Sequence, residues 1–290
     1  MLDIKRDSEV QKILIAKILI ENIKNKGIVN NLAEVEFKVF SQFGEDGIIQ
    51  YLINNTPIKN KIFIEFGAQD YKESNTRFLL INNDWRGLVI DSDKKNIDCI
   101  KNDEIYWRYD IKAVCKFITR ENINSIFSSN GFEGDIGLLS IDIDGNDYWV
   151  WEAIETVAPS IVICEYNSIF GYKDVVTIPY EPNFNRAKAH FSNLYFGASL
   201  PALCYLANKK GYVFIGSNSA GNNAFFIRKD FANFFKKVKV KEGYVMSNIR
   251  ESRNEEGKLT YISGDDRKEM IKDLEVYNIK TGEKIKIKDL

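Results

Sequence analysis

One stretch, Lys61 to Asp91 (KIFIEFGAQDYKESNTRFLLINNDWRGLVID), constrains the chain more than any other. It opens on Ile62-Phe63-Ile64, an apolar run too short for a helix and rich in strand formers. The run ends at Glu65-Phe66-Gly67, where a glycine lets the backbone turn sharply and approach a ligand. A polar loop follows, then a helical pattern through Phe78, Leu79 and Leu80, and then a second buried run, Gly87-Leu88-Val89-Ile90, that stops at Asp91. Strand, glycine turn, helix, strand and acid is the order of a nucleotide-binding βαβ unit. Asp91 follows Gly67 at close to the ~20 residues expected for a carboxylate that takes ribose hydroxyls.

No pyrophosphate cradle accompanies the unit. Ala68, Gln69 and Asp70 follow Gly67, so G-x-G-x-x-G is absent, and G-x-x-x-x-G-K-[ST] occurs nowhere. An adenosine ligand without a phosphate chain fits better, and S-adenosylmethionine is the common one. The run IEFGAQD, SNT, LL and WRGLVID resembles the cofactor-binding motifs of Rossmann-like (class I) SAM-dependent methyltransferases, particularly the FkbM-type group. The resemblance implies an α/β fold: a mostly parallel sheet with an antiparallel edge hairpin, flanked by helices. It implies cofactor contacts at Glu65, Gly67, Ala68, Asn75 and Asp91. Upstream, Ser41-Gln42-Phe43-Gly44-Glu45-Asp46-Gly47 can be read as a capped helix start. The same pattern precedes the glycine strand in the family, which places Gln42, and with it Asp46, over the cofactor.

Three further strand ends carry acids. Glu104 to Tyr109 reads as a strand ending at Asp110, which either accepts a hydrogen bond from an adenine amino group or caps the next helix. Ile136 to Ile141 runs into Asp142, Asp144 and Asp147, and Ile161 to Cys164 into Glu165. In an open parallel sheet ligands bind beyond the carboxyl ends of the strands, so Asp142, Asp144 and Glu165 converge on one rim. Like charges gathered there are protonated, paired with cations, or bound to metal. All-oxygen ligation suits Mg2+ or Mn2+. Some methyltransferases of this fold bind such an ion at these two strand ends, and the resemblance implies the position without fixing the ligand set. The alternative is that Asp142 supports the cofactor, Asp144 caps the next helix and Glu165 pairs with an arginine.

Residues 168 to 194 show no clear period and read as a lid-like insertion. They include His190, the one histidine of the chain, which is either a packing residue or, with Asp144 and Glu165, a candidate base. Tyr195 to Lys210 reads as a helix stopped by Gly211, with Pro201 in its first turn. Tyr212–Ile215 and Ala224–Ile227 read as a hairpin, the reversed edge pair of a methyltransferase sheet, with Asn222 and Asn223 as turn residues. Family-like segments reach Arg228.

Three regions result: a helical flank over 1–38, a methyltransferase domain over 39–230 and an accessory extension over 231–290. Short strand-like pieces mark the extension at Lys237–Val240 and Ile285–Ile287. In the flank, Val10, Ile13, Leu14 and Ile18 mark one apolar face. Ile15, Leu19, Ile20 and Ile23 widen it, so the helix is expected to be largely covered by the domain or by a second subunit of a homodimer.

A net charge of −1 gives no reason for a polyanion partner, and nucleic acid is not expected. No apolar run approaches the ~20 residues of a membrane span, and the N-terminus makes a poor signal peptide. The four cysteines are far apart and lack C-x-x-C, which suggests reduced, buried thiols in a cytoplasmic protein.

The function expected is SAM-dependent methylation of a small-molecule acceptor, with a divalent metal orienting and acidifying a hydroxyl. Family context points to a sugar hydroxyl or a sugar- or nucleotide-linked phosphoryl group in surface-polysaccharide or secondary-metabolite biosynthesis. The alternatives are a metal-independent enzyme with a protein base, or a degenerate fold used as a binding module. Tyr71 speaks for the last, because many relatives carry a glycine there and a side chain can crowd the methionine moiety. NAD-type chemistry through Tyr205-x-x-x-Lys209 lacks its glycine fingerprint.

Overall fold

The computed structural model describes residues 2–290, with side-chain surroundings from Asp7 onward. A seven-stranded sheet organises it. Five strands lie parallel: β1 (Ile62–Phe66), β2 (Arg86–Asp91), β3 (Ile111–Cys115), β4 (Gly134–Ile141) and β5 (Val157–Glu165). A short strand, β6 (Val176–Thr177), lies apart, and β7 (Tyr212–Ser217) and β8 (Asn223–Arg228) complete the sheet in the order β3-β2-β1-β4-β5-β8-β7. Strand β8 runs antiparallel to both its neighbours. The 212–228 hairpin therefore forms as expected, but only β8 is reversed; β7 crosses back to the edge parallel to the rest. The fold is the mixed α/β, Rossmann-like methyltransferase sheet expected from the sequence.

Helices cover both faces. They are α1 (Leu2–Lys24), α2 (Glu45–Asn55), α3 (Arg77–Asn83), α4 (Lys94–Asn102), α5 (Ile105–Arg108), α6 (Ile123–Asn130), α7 (Asp147–Ala153), α8 (Arg186–Ala189), α9 (Leu200–Lys209), α10 (Val240–Gly243) and α11 (Asp266–Ile271). Alternate residues of each strand go to opposite faces. Ile64, Leu88 and Ile90 pack with Phe127, Trp151 and Leu203, whereas Phe63, Val89 and Ile163 pack with Ile49, Leu80 and Ile97. Within α1, Ala16, Ile20 and Ile23 are buried while Val10, Leu14, Ile15 and Ile18 are exposed. The domain thus covers one narrow stripe of this helix rather than its wide apolar face. Among the described residues no helix is long and apolar enough to cross a membrane. The four cysteines are free; Cys164 is buried and Cys204 half-buried, but Cys99 and Cys115 are exposed, contrary to expectation.

Two further differences matter. The 104–109 segment is not a strand: Ile105–Arg108 is the short helix α5, and the strand begins at Ile111, which pairs with Gly87. The extension packs on the domain. Its hairpin, β9 (Glu275–Asn278) and β10 (Lys284–Lys286), joins β6 in a second, three-stranded sheet. Lys237–Lys239 forms no strand, and Val240 opens α10.

Strand order reverses between β1 and β4, and a ligand crevice forms at such a switch point beyond the carboxyl ends. Gly67 sits there with φ +64°, and a Cβ on it would lie 1.8 Å from the Asp142 carbonyl oxygen. Gly67→Ala is therefore expected to cost about 2–4 kcal/mol, from overpacking plus left-handed strain. A urea melt checks this; a wild-type midpoint would contradict it.

Candidate active site

The crevice has two connected parts. The first, a cavity of about 160 Å³, is lined by Gly67, Gln69, Asp91, Phe117, Asp142 and Phe184, among others. Asp91 closes β2 and is held in place: its Oδ2 accepts from the Gln69 amide (3.0 Å), and its Oδ1 accepts from the Asp93 amide (2.7 Å) and Asn96 Nδ2 (3.1 Å). Lys116, Phe117 and Ile118, just past β3, supply the facing wall, and Phe117 is 47% exposed. A fixed carboxylate beside an exposed aromatic face can hold a diol and a flat heterocycle together. Asp110 does not take part. It precedes β3, at the opposite end of the sheet, and lies 3.7 Å from Arg86 with its side chain 78% exposed. The shifted strand start moves the functional edge to Lys116–Ile118, which the sequence reading missed.

The second part, about 90 Å³, shares Gly67, Gln69 and Asp142 with the first and adds Gln42, Ala68, Asn75 and Asn223. Glu65 also lines it, but its carboxylate is committed to the following loop. It accepts from Ser74 Oγ (2.8 Å), the Asn75 amide (2.9 Å), the Thr76 amide (3.1 Å) and Thr76 Oγ1. Burial raises its pKa, and these hydrogen bonds pull it back. The loop so held lets Asn75 Nδ2 donate to Ser140 Oγ at 3.0 Å.

Asp46 plays a similar part for the Gln42 segment. Its Oδ2 accepts from the amides of Val39 (2.7 Å), Phe40 (2.8 Å) and Ser41 (2.8 Å), and burial pushes its pKa up to about 6. Gln42 faces the crevice, and Asp46 fastens the backbone behind it. Asn223 is more than a turn residue: it begins β8, donates to Glu45 Oε1 (3.0 Å) and leaves its Oδ1 buried without a partner. Tyr71 is no obstacle to a ligand. Its φ is +62°, which explains a glycine preference, but its ring is buried in the core with its hydroxyl 2.8 Å from Thr76 Oγ1.

At the floor, one carboxylate oxygen each from Asp142, Asp144 and Glu165 lies within 4.8 Å of the other two. Burial, and then the neighbouring carboxylates, raise the Asp142 and Glu165 pKa values well above the ordinary range. Glu165 Oε2 is buried with no hydrogen-bond partner. Asp144 does not cap α7, whose N-cap is Asn146 without a side-chain cap bond; Asp147, in the first turn, instead holds the preceding loop, its Oδ1 accepting from the Ile143 amide (2.8 Å) and its Oδ2 from the Gly145 amide (2.9 Å). The cluster's counter-charge comes from Arg186 of α8. Its guanidinium donates to Asp144 Oδ1 (2.5 Å), the Asn193 carbonyl (2.6 Å) and Glu251, and lies 3.7 Å over the Phe196 ring. An arginine does meet the cluster, then, but its hydrogen bond goes to Asp144 rather than Glu165. Three convergent carboxylates and an orphaned buried oxygen fit a hard divalent ion, with Arg186 the competing cation.

His190 lies outside this constellation. Its Nδ1 is 2.7 Å from Ser192 Oγ, its ring lies against Phe191, and it lines neither part of the crevice. Tyr205 and Lys209 form a cation–π pair on α9, also away from the crevice.

No protein-family model and no curated protein matches the chain. Among solved structures it is similar to a S-adenosylmethionine-dependent methyltransferase from Clostridium acetobutylicum ATCC 824, at 8% identity and TM-score 0.39, over 63% of this chain and 90% of that one. It is also similar to DszA carbon methyltransferase (10% identity, TM-score 0.39, 64% and 53%) and to TehB from Haemophilus influenzae (11%, 0.34, 58% and 57%). The chain thus spans little more than half the length of the last two. Likeness at these levels decides nothing about chemistry, which has to be read from the side chains.

Removing the cation should expose the cost of the acids. Arg186→Met is expected to destabilise the metal-free protein by about 1–3 kcal/mol at pH 8. The loss should be smaller at pH 5, because the raised folded pKa values of Asp142 and Glu165 favour their protonated forms as pH falls, and a protonated acid needs no counter-ion. Urea melts at the two pH values measure this; equal losses would contradict it.

Proposed function

We propose that the protein is a SAM-dependent methyltransferase that methylates an oxygen of a small-molecule acceptor. The observation that carries this reading is the Gly67–Asp91–Asp142 crevice at the switch point, which offers an adenosine-type site without a phosphate cradle. Asp91 takes the ribose hydroxyls, Phe117 and Ile118 the adenine, and Gln42, Asn75 and Asn223 the charged end of the methionine moiety. S-adenosylmethionine supplies an electrophilic methyl group. What remains for the protein is to align the acceptor and accept its proton. Glu165, with its unpartnered oxygen and raised pKa, is the group suited to that proton.

A Mg2+ or Mn2+ ion held by Asp142, Asp144 and Glu165 would acidify the acceptor hydroxyl and template its approach. The acceptor class proposed is a sugar hydroxyl or a sugar- or nucleotide-linked phosphoryl group of surface-polysaccharide or secondary-metabolite biosynthesis, and the fold itself does not specify it. One observation favours a second reading: Arg186 already neutralises Asp144. In that version the arginine is the resident cation and Glu165 the base, without a metal.

Calorimetry on EDTA-treated protein tests both. S-adenosylhomocysteine (SAH) is expected to bind, and Asp91→Ala to weaken it at least about tenfold, the worth of a hydrogen bond to a charged group. Mn2+ is expected to give a separate heat that Glu165→Gln abolishes. Because the metal-free acids hold protons above their usual range, binding should release protons and tighten as pH rises from 5 to 8. SAH binding with no metal heat would leave the second reading, and no SAH binding would overturn both.

A further inference from the structure

On the far side of the acid cluster from the adenosine cavity lies a separate pocket, and the C-terminal extension builds its outer wall. Glu165 lines it from the sheet, Asn222 from the hairpin turn, and Ser247, Ile249, Glu251 and Arg267 from the extension. The extension is fastened there by specific bonds. Tyr166 Oη donates to the Val245 carbonyl (2.6 Å), Tyr244 Oη to the Ser168 carbonyl (2.7 Å), and the Ser247 amide to Ser168 Oγ (3.0 Å). Antiparallel pairing of β9 with β6 ties the remainder to the insertion.

Arg267 is the unexplained group in this pocket. It is 4% exposed, yet among the described residues its side chain makes no ion pair and no hydrogen bond, and its Nε is buried without a partner. The other buried or half-buried arginines behave differently. Arg77 pairs with Asp103, Arg186 with Asp144 and Glu251, and Arg228 with Asp135 and Asp230. A guanidinium has five donors and no way to lose its charge at physiological pH. Burying one without an acceptor is costly, so such a group calls for a missing partner.

Neither carboxylate of the pocket supplies it. Glu251 is engaged by Arg186; it favours the charged form of Arg267 from a distance, but among the described residues no carboxylate oxygen lies within 4.0 Å of that arginine. The pocket therefore holds two carboxylates, Glu165 and Glu251, and one arginine that none of its neighbours bonds. Its volume of about 30 Å³ leaves room for roughly two water-sized groups. That admits the tip of an oxyanion and not a sugar ring.

We propose that Arg267 binds a terminal oxyanion of the methyl acceptor, a phosphoryl or carboxylate group, and that the extension thereby selects anionic acceptors. The inference rests on the methyltransferase reading for its word "acceptor", but anion binding at Arg267 can be measured without it. Bidentate pairing of the guanidinium with the oxyanion fixes the acceptor at one end. Glu165 lines the same pocket, so the bound end holds the acceptor close to the proposed base.

The test is calorimetric titration of inorganic phosphate, and separately of acetate, into EDTA-treated full-length protein, with and without saturating SAH. Heat from either anion is expected, and which one binds distinguishes phosphoryl from carboxylate acceptors. Arg267→Gln should weaken binding at least about tenfold, the worth of a charge-assisted pair. Ile249→Glu, which leaves the arginine in place and adds a negative charge, repelling the anion, to the half-exposed wall, should do the same. The SAH affinity should stay unchanged in both variants. Anion heats that are absent, or that are equal in wild type and Ile249→Glu, would overturn the proposal. Loss of SAH binding in the wild type would instead overturn the methyltransferase reading and leave the anion result standing.

Discussion

The approach of Gly67 to the carbonyl of Asp142 is the contact on which the rest of the site depends. A Cβ at residue 67 would stand 1.8 Å from that oxygen, so the turn after β1 can pass over the end of β4 only as glycine. Passing there, it aims the Gln69 amide at Asp91 and makes one floor, Gly67 with Asp142, common to both parts of the crevice. The carboxyl ends of β1, β2 and β4 are thereby locked together before any ligand arrives. Buried carboxylates then hold the loops around this floor. Glu65 gathers residues 74–76, Asp46 gathers 39–41, and Asp147 gathers 143–145. Each accepts from two or more backbone amides, which offsets part of the cost of burying an acid.

Charge is distributed with a purpose that the fold alone does not require. Asp142, Asp144 and Glu165 meet at the edge of a low-dielectric crevice, where mutual repulsion and desolvation both oppose ionisation. Arg186 reaches in from the insertion to offset this, and it draws Glu251 of the extension with it. The insertion and the extension are in this sense parts of the candidate site. They place one cation beside the acids and another, Arg267, at the far wall of the adjoining pocket.

Local signals in the sequence carried the βαβ unit, the acid-bearing ends of β4 and β5 and the 212–228 hairpin, because short apolar runs bounded by glycine and acids have few other ways to fold. Where the reading failed, long-range pairing decided. Ile105-Tyr106-Trp107-Arg108 is rich in strand formers, yet the register with β2 starts the strand at Ile111 and leaves the earlier residues to a helical turn. That slip carried Asp110 to the wrong end of the sheet and hid Phe117. Arg186, Glu251 and Arg267 were illegible for a related reason: β6 and β9 pair across about a hundred residues, and no local pattern announces such a contact. Asn223 looked like a turn residue because its partner, Glu45, is equally remote. His190 illustrates the converse. A lone histidine in a presumed lid invited a catalytic role, but the fold turns its Nδ1 to Ser192.

The central claim is that the crevice over Gly67 and Asp142 is an adenosine-type cofactor site. A crystal structure of the protein with SAH tests it most directly. The account predicts the adenine against Phe117 and Ile118, the ribose hydroxyls on Asp91, the amino-acid end toward Gln42, Asn75 and Asn223, and the sulfur facing the acid cluster. Electron density for SAH in any other cavity, or with the ribose away from Asp91, would contradict it.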